Sequence, residues 1–212
     1  MIDIENLSKS FGRRTLWSGV DLTVHGGQML ALTGPSGSGK STLLNCLGLL
    51  DAPTAGAIRH EEKDITEFGP RQARVFRRDV LGYLFQNYAL IDNATVAANL
   101  EVVTRPRRGP RRTTSTAIPE ALERVGLAGR EGEKVSRLSG GEQQRVALAR
   151  LMVKQPSLVL ADEPTGALDH DNTSMVVKIL REMSDSGCAV VIATHDDYVR
   201  DQCDAVFRVS AD

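Results

Sequence analysis

Aromatic residues make up only 4% of this 212-residue chain, cysteine occurs three times, and neither sign of charge prevails. An apolar fraction of 41% still suits an ordinary globular protein, so the composition excludes a disordered or fibrous chain, and one main core is expected at this length. Lys and Arg number 26 against 27 Asp and Glu, for a net charge of −1. That balance lacks the basic surplus with which a non-specific nucleic-acid binder neutralises phosphates, and no DNA or RNA partner is expected. Long apolar runs are missing too. Stretches such as 157–161 and 189–193 fall far below the ~20 residues of a membrane-spanning helix. The start, Met1-Ile2-Asp3-Ile4-Glu5, has neither the basic opening nor the apolar run of a secretory signal, so a cytoplasmic location is expected.

Cys46, Cys188 and Cys203 are odd in number and fall in segments that read as helices or strands. This argues against a disulfide framework or zinc site and for three small, buried, reduced side chains. His25, His60 and His170 have no partners at ligand spacing and read as surface residues, and Trp17 reads as a packing residue. There is no internal repeat. The Arg-rich stretch 105–112, with two prolines and a glycine, reads as a solvated loop without an assigned role.

Short strands are expected over 2–7, 20–24 and 28–33, the last leading into a run of glycines. Residues 40–50, rich in Leu with Ser41 and Thr42 in the first turn, read as a buried helix entered from that run. A further apolar run, 80–85, ends at Gln86. The stretch 87–154 then reads as an inserted, mostly helical piece, with helices over 95–102, 116–125 and 141–153. From 157 onward strands (157–161, 189–193, 205–209) alternate with helices (172–184, 196–201), the pattern of a parallel sheet.

Between the third strand and its helix lies Gly34-Pro35-Ser36-Gly37-Ser38-Gly39-Lys40-Ser41. It matches G-x-x-x-x-G-K-S, in which backbone N–H groups wrap phosphates, the lysine reaches the β/γ-phosphates and the serine hydroxyl reaches Mg²⁺. Glycine is needed because a side chain would block the backbone's approach, and the following helix N-terminus adds about half a positive charge. A flexible turn with a surface lysine is the plain alternative, and the strand–loop–helix context disfavours it. Asp162-Glu163-Pro164 closes the strand 157–161. Alone it reads equally well as a solvated turn. Beside a phosphate loop the two carboxylates divide the work, Asp162 holding Mg²⁺ through water and Glu163 taking a proton from the water that attacks the γ-phosphate.

The segment Leu138-Ser139-Gly140-Gly141-Glu142-Gln143-Gln144-Arg145 offers a serine N-cap and glycines with bare N–H groups, which by itself could be an ordinary capped helix start. It resembles the signature motif of the ATP-binding cassette family, and the resemblance covers the whole chain. The family resemblance implies an α/β fold: a P-loop NTPase (RecA-like) core over 1–86 and 155–212, with an N-terminal antiparallel β subdomain and an inserted α-helical subdomain over 87–154. It implies that Ser139, Gly140, Gly141 and Glu142 bind the γ-phosphate of an ATP held by the phosphate loop, residues 34–42, of a second copy. Phe11 resembles the aromatic that stacks on adenine. Gln86 resembles the glutamine that touches Mg²⁺ and the attacking water and senses the transmembrane partner. Asp169, in Gly166-Ala167-Leu168-Asp169, resembles the loop that crosses the dimer interface, and His195 the histidine at the γ-phosphate.

The implied protein is therefore an ATP hydrolase that dimerises around two ATP molecules with Mg²⁺. It works on the cytoplasmic face of the membrane through a separate permease. Residues 85–91 and 162–169 look like the branch containing macrolide-export and lipoprotein-release ATPases, and peptide or bacteriocin export fits that branch as well. No regulatory domain is expected after the strand 205–209, and 130–137 follows no assignable pattern. A soluble ATPase of the same family serving as an assembly scaffold is the alternative. A switch without turnover is a further one, disfavoured by Glu163 and His195.

Overall fold

The computed structural model describes residues 1–104, 114–166 and 170–210. Its first half runs β1 (Ile2–Phe11), β2 (Arg14–Val24), β3 (Met29–Thr33), α1 (Lys40–Leu47), β4 (Ala55–His60), β5 (Lys63–Asp64), α2 (Pro70–Asp79) and β6 (Leu81–Leu84). The second half runs α3 (Val96–Glu101), α4 (Thr114–Arg124), a 3₁₀ turn (Val135–Arg137), α5 (Gly140–Lys154), β7 (Leu158–Asp162), α6 (His170–Asp185), β8 (Ala189–Ala193), α7 (Asp197–Asp201) and β9 (Ala205–Arg208).

Five strands form a parallel sheet in the order β6-β7-β8-β3-β9, and four form an antiparallel sheet in the order β2-β1-β4-β5. Successive strand residues point to opposite faces, and β7 and β8 are apolar on both. Leu158, Leu160, Val191 and Ala193 pack with Leu43, Leu44 and Leu47 of α1 and with Ile2, Leu7 and Trp17 of the antiparallel sheet. Val159, Ala161, Val190 and Ile192 face the other way, toward Val146 and Leu148 of α5 and Val176 and Leu180 of α6. The same cluster takes in Val96, Leu100, Leu122 and Val125, so α3 and α4 share a core with the sheet. The fold is a P-loop α/β architecture carrying an antiparallel sheet on one side and a helical layer on the other.

β1 and β2 run longer than expected, pairing out to Phe11 and Arg14, and β1 is bulged. Asn6 adopts φ 48° and its N–H donates to Asp21 Oδ1 at 2.7 Å, while the pairing with β2 shifts register between Ile4 and Leu7. The bulge moves the inward positions from Ile2 and Ile4 to Leu7 and Lys9. α1 stops at Leu47 rather than 50, since Gly48 caps it and Leu49 turns left-handed at φ 54°. Residues 51–79, to which no element was assigned from sequence, hold β4, β5 and α2. Two expectations need correction. His60 is half-buried, its ring edge-on to Phe76 at 5.5 Å, and burial lowers its pKa. Cys203 is half-buried rather than buried. Desolvation pushes the Cys46 and Cys203 thiols up to about 11 and Cys188 up to about 12, which keeps them protonated and unreactive.

Leu160 is fully buried in the middle of β7, between β6 and β8. Leu160→Ala is expected to cost about 2–5 kcal/mol, read as a lower midpoint in urea unfolding followed by circular dichroism.

Candidate active site

Register in the parallel sheet brings the candidate residues to one edge. Leu32 of β3 pairs with Ala193 of β8, which pairs with Asp162 of β7, and Leu84 of β6 lies beside Ala161. The segments leaving these carboxyl ends carry Gly34, His195, Glu163 and Gln86. This is where open α/β sheets bind ligands.

The loop 34–39 turns from β3 into α1 through three glycines, two of which leave no room for a side chain. A Cβ on Gly34 would stand 2.3 Å from the Val209 carbonyl oxygen, and one on Gly39, at φ 92°, would stand 2.7 Å from Trp17 Nε1. Trp17 and Leu16 of β2 thus brace the loop from the antiparallel sheet. α1 begins without a side-chain cap, so its first-turn amides are left for an anion. Ser38 is buried, and its hydroxyl packs against Gly34 inside the loop. Lys40 Nζ donates to the Gly34 carbonyl at 2.8 Å and the Pro35 carbonyl at 3.2 Å, which holds the ammonium across the loop mouth. Pro35, Ser36 and Gly37 are exposed, and Thr42 is half-buried in the first turn of α1.

Ser41 Oγ donates to Asp162 Oδ1 at 2.9 Å. Burial raises the pKa of Asp162, opposed chiefly by that hydrogen bond. A half-buried carboxylate touching a hydroxyl is an oxygen donor set that suits Mg²⁺, an ion that uses one or two protein oxygens and completes its shell with phosphates and water. Among the described residues no cluster of three or more His, Cys, Asp or Glu could hold a metal alone. Gln86 is exposed after β6.

Glu163, just past β7, sits at φ 47°, a left-handed conformation that costs a non-glycine residue about 1–3 kcal/mol. Its N–H donates to the Ala193 carbonyl at 2.9 Å and its Oε2 lies 2.8 Å from His195 Nδ1. Its side chain is 17% exposed and that of His195 is 73% exposed. The hydrogen bond to Glu163, then its charge, raises the pKa of His195. This pair was not anticipated from sequence; two polar residues at the ends of adjacent parallel strands are its only signal.

Ser139 caps α5 in a reciprocal box: Glu142 N–H donates to Ser139 Oγ at 3.3 Å and Ser139 N–H to Glu142 Oε2 at 2.8 Å. The Ser139 contacts, then Arg130, hold the Glu142 carboxyl down to about 2. Ser139 and Gly140 are exposed. Among the described residues no hydrogen bond or ion pair links 139–142 to 34–42 of the same chain. Phe11 ends β1 with 55% exposure. Asp169 and the Arg-rich stretch 105–112 lie outside the described residues, as does the side chain of His170. A cavity of about 500 Å³ opens near Pro156, Ser157 and Cys188, at the opposite edge of the sheet, and carries none of this chemistry.

The sequence model of the family described as "ABC transporter" matches residues 17–166. The chain is 37% identical over 215 residues to the pyoverdine export ATP-binding/permease protein PvdT of Pseudomonas syringae pv. tomato, covering 99% of this chain and 33% of that protein. It is 38% identical over 213 residues to the macrolide export ATP-binding/permease protein MacB of Salmonella choleraesuis, again 99% of this chain and 33% of the relative. The chain thus spans about a third of the length of these relatives. Among solved structures, the ATP-binding cassette MJ0796, described as a dimeric post-hydrolysis state bound to ADP and Pi, superposes with a TM-score of 0.91 at 32% identity, covering 99% of this chain and 94% of that one. CbiO1 of Clostridium perfringens, part of the complex cbiONQ, gives 0.85 at 28% identity, with 99% and 84% covered.

Because Glu163 raises the pKa of His195, Glu163→Gln is expected to return it toward ~6.5, measured by NMR titration of the imidazole. The raised value means that the pair's stabilisation is fully present below pH ~6.5 and is lost as pH climbs through the folded-state pKa. An unchanged His195 titration in the variant would contradict the pairing.

Proposed function

Because the chain belongs to the ABC transporter family, we propose that it binds and hydrolyses ATP at the edge of the parallel sheet, as one of two copies that drive a membrane permease. The observation that carries this reading is the meeting of Lys40, Ser41, Asp162, Glu163 and His195 where β3, β7 and β8 end in register.

The amides of 34–42 and the Lys40 ammonium bind the phosphates. Lys40 exchanges its two neutral carbonyl acceptors for anionic β/γ-oxygens, so that both partners of the contact are then charged. Ser41, Asp162 and Gln86 would hold Mg²⁺, which when bound neutralises charge on the β- and γ-phosphate oxygens. Glu163 accepts a proton from the attacking water. Its Oε2 is engaged by His195, which leaves Oε1 for that water, and the His195 imidazole steadies the carboxylate from the solvent side. Phe11 stacks on the base.

The phosphate loop is open to solvent, and the capped start of α5 is exposed yet unconnected to it. Both features support a site completed by a second copy, whose Ser139, Gly140, Gly141 and Glu142 close over the γ-phosphate, with Asp169 at the same interface. The dimeric solved neighbour supports the same arrangement. Export is the direction favoured by the relatives' names. No helix of the described residues is long and apolar enough to cross a membrane, so the permease lies outside these elements. We place its contact beside Gln86, in a groove of about 250 Å³ lined by Leu50, Tyr83, Phe85, Val102 and Arg150, where Leu50 and Val102 are exposed.

Glu163→Gln is expected to lower the ATPase rate ~10²–10⁴-fold while retaining ATP-dependent dimerisation on size exclusion. Hydrolysis at the unaltered rate would remove Glu163 as the base. A shared site makes a second prediction. Lys40→Ala and Ser139→Arg chains are each expected to fail to dimerise with ATP. Mixed together they regain dimers, since one of the two composite sites is then built from intact halves. Absence of mixed dimers would count against the head-to-tail arrangement.

A further inference from the structure

Lys9 belongs to none of these roles, yet it is 6% exposed, an unusual degree of burial for lysine. Its Nζ lies 2.8 Å from Asp51 Oδ1, donates to the Ala52 carbonyl at 2.6 Å, and stands over the ring of Phe11, 4.7 Å from the centroid. Lys9 and Phe11 are two residues apart on β1, and the contact of the ammonium with the ring shows that they share a face. The bulge at Asn6 turns that face inward at Lys9, while the ring, at the strand's end, keeps 55% of its surface in solvent. One face of the ring is thus covered by a cation fixed by two oxygen partners, and solvent reaches the rest.

An exposed aromatic ring ordinarily samples rotamers, and ordering it on binding costs affinity. Attraction between the ammonium and the ring quadrupole removes part of that freedom beforehand. It also draws π density toward the covered face, so the open face repels an electron-rich purine less. We propose that Lys9 is a positioning residue for the nucleotide base: anchored by Asp51 and Ala52, it holds the Phe11 ring as a platform on which adenine stacks. This rests on the reading of Phe11 as the base-stacking residue.

The test separates base from phosphate by equilibrium titration of the whole chain with ATP and with inorganic tripolyphosphate, both in EDTA to prevent turnover. Lys9→Gln keeps a donor for the Ala52 carbonyl but loses the charge. It is expected to weaken ATP binding about three- to ten-fold, within the span of one cation–π contact, and to leave tripolyphosphate binding within about twofold. Lys9→Arg is expected to recover most of the loss. In a Phe11→Ala background Lys9→Gln is expected to add less than about twofold, because its effect runs through the ring. Lys9→Met, of matching length, serves if Lys9→Gln does not fold. Equal weakening of both ligands would make Lys9 a purely structural ion pair and overturn the proposal. Unimpaired ATP binding in Lys9→Gln beside a weakened Phe11→Ala would overturn it while leaving base stacking intact. Wild-type ATP binding in Phe11→Ala would remove the stacking reading first and the proposal with it.

Discussion

The ladder that sets Leu32, Ala193 and Asp162 in one row is the constraint on which the rest depends. Strand side chains alternate with period two, so a slip of one residue in β7 would send Asp162 to the opposite face and its apolar neighbours with it. Slippage is opposed on both faces. Leu158 and Leu160 fit against α1 and the antiparallel sheet, while Val159 and Ala161 fit against α5 and α6. With the row secured, the phosphate loop, Asp162, Glu163 and His195 need only the first residues beyond each strand to meet. Glu163 completes the arrangement at local cost, holding a left-handed backbone that the Ala193 carbonyl stabilises through its N–H.

The antiparallel sheet serves that row from the other side. Trp17 and Leu16 press on the loop so closely that Gly39 has no room for a side chain, which couples the loop's shape to β2. β1 lies next to β2 and ends in Phe11, so the same sheet that braces the phosphate loop also presents the ring. The signature segment is handled differently. Its helix start is held within the chain, because Ser139 and Glu142 cap each other and Arg130 bridges Glu142 and Glu133. A preorganised, exposed helix N-terminus loses little entropy on meeting an anion.

Much of the fold was legible in local pattern. The apolar runs ending at 161 and 193 and the periodic stretch 141–153 show the spacings of buried strands and a core-facing helix, and the elements form within a residue or two of those bounds. The segment 51–79 was not legible. β4 and β5 are short and only partly buried, and α2 is strongly polar, its apolar face reduced to the buried pair Ala73 and Phe76. The bulge at Asn6 was hidden for another reason. Continuous alternation through Ile2, Ile4 and Asn6 reads as one face, and the pairings with β2 and β4 reveal the shift to Leu7 and Lys9.

By itself the sequence determined the chemistry available: a glycine loop ending in Lys40 and Ser41, a strand closed by Asp162 and Glu163, and a serine-capped glycine pair at 139–141, each a property of contiguous residues. The tertiary structure decided which of these share a site. It joined Ser41 to Asp162 and Glu163 to His195 across 121 and 32 positions, and among the described residues gave Ser139 no hydrogen bond or ion pair to the loop of its own chain. Such pairings depend on strand order and register, which arise from burying both faces of one sheet at once, and no local run of residues encodes them.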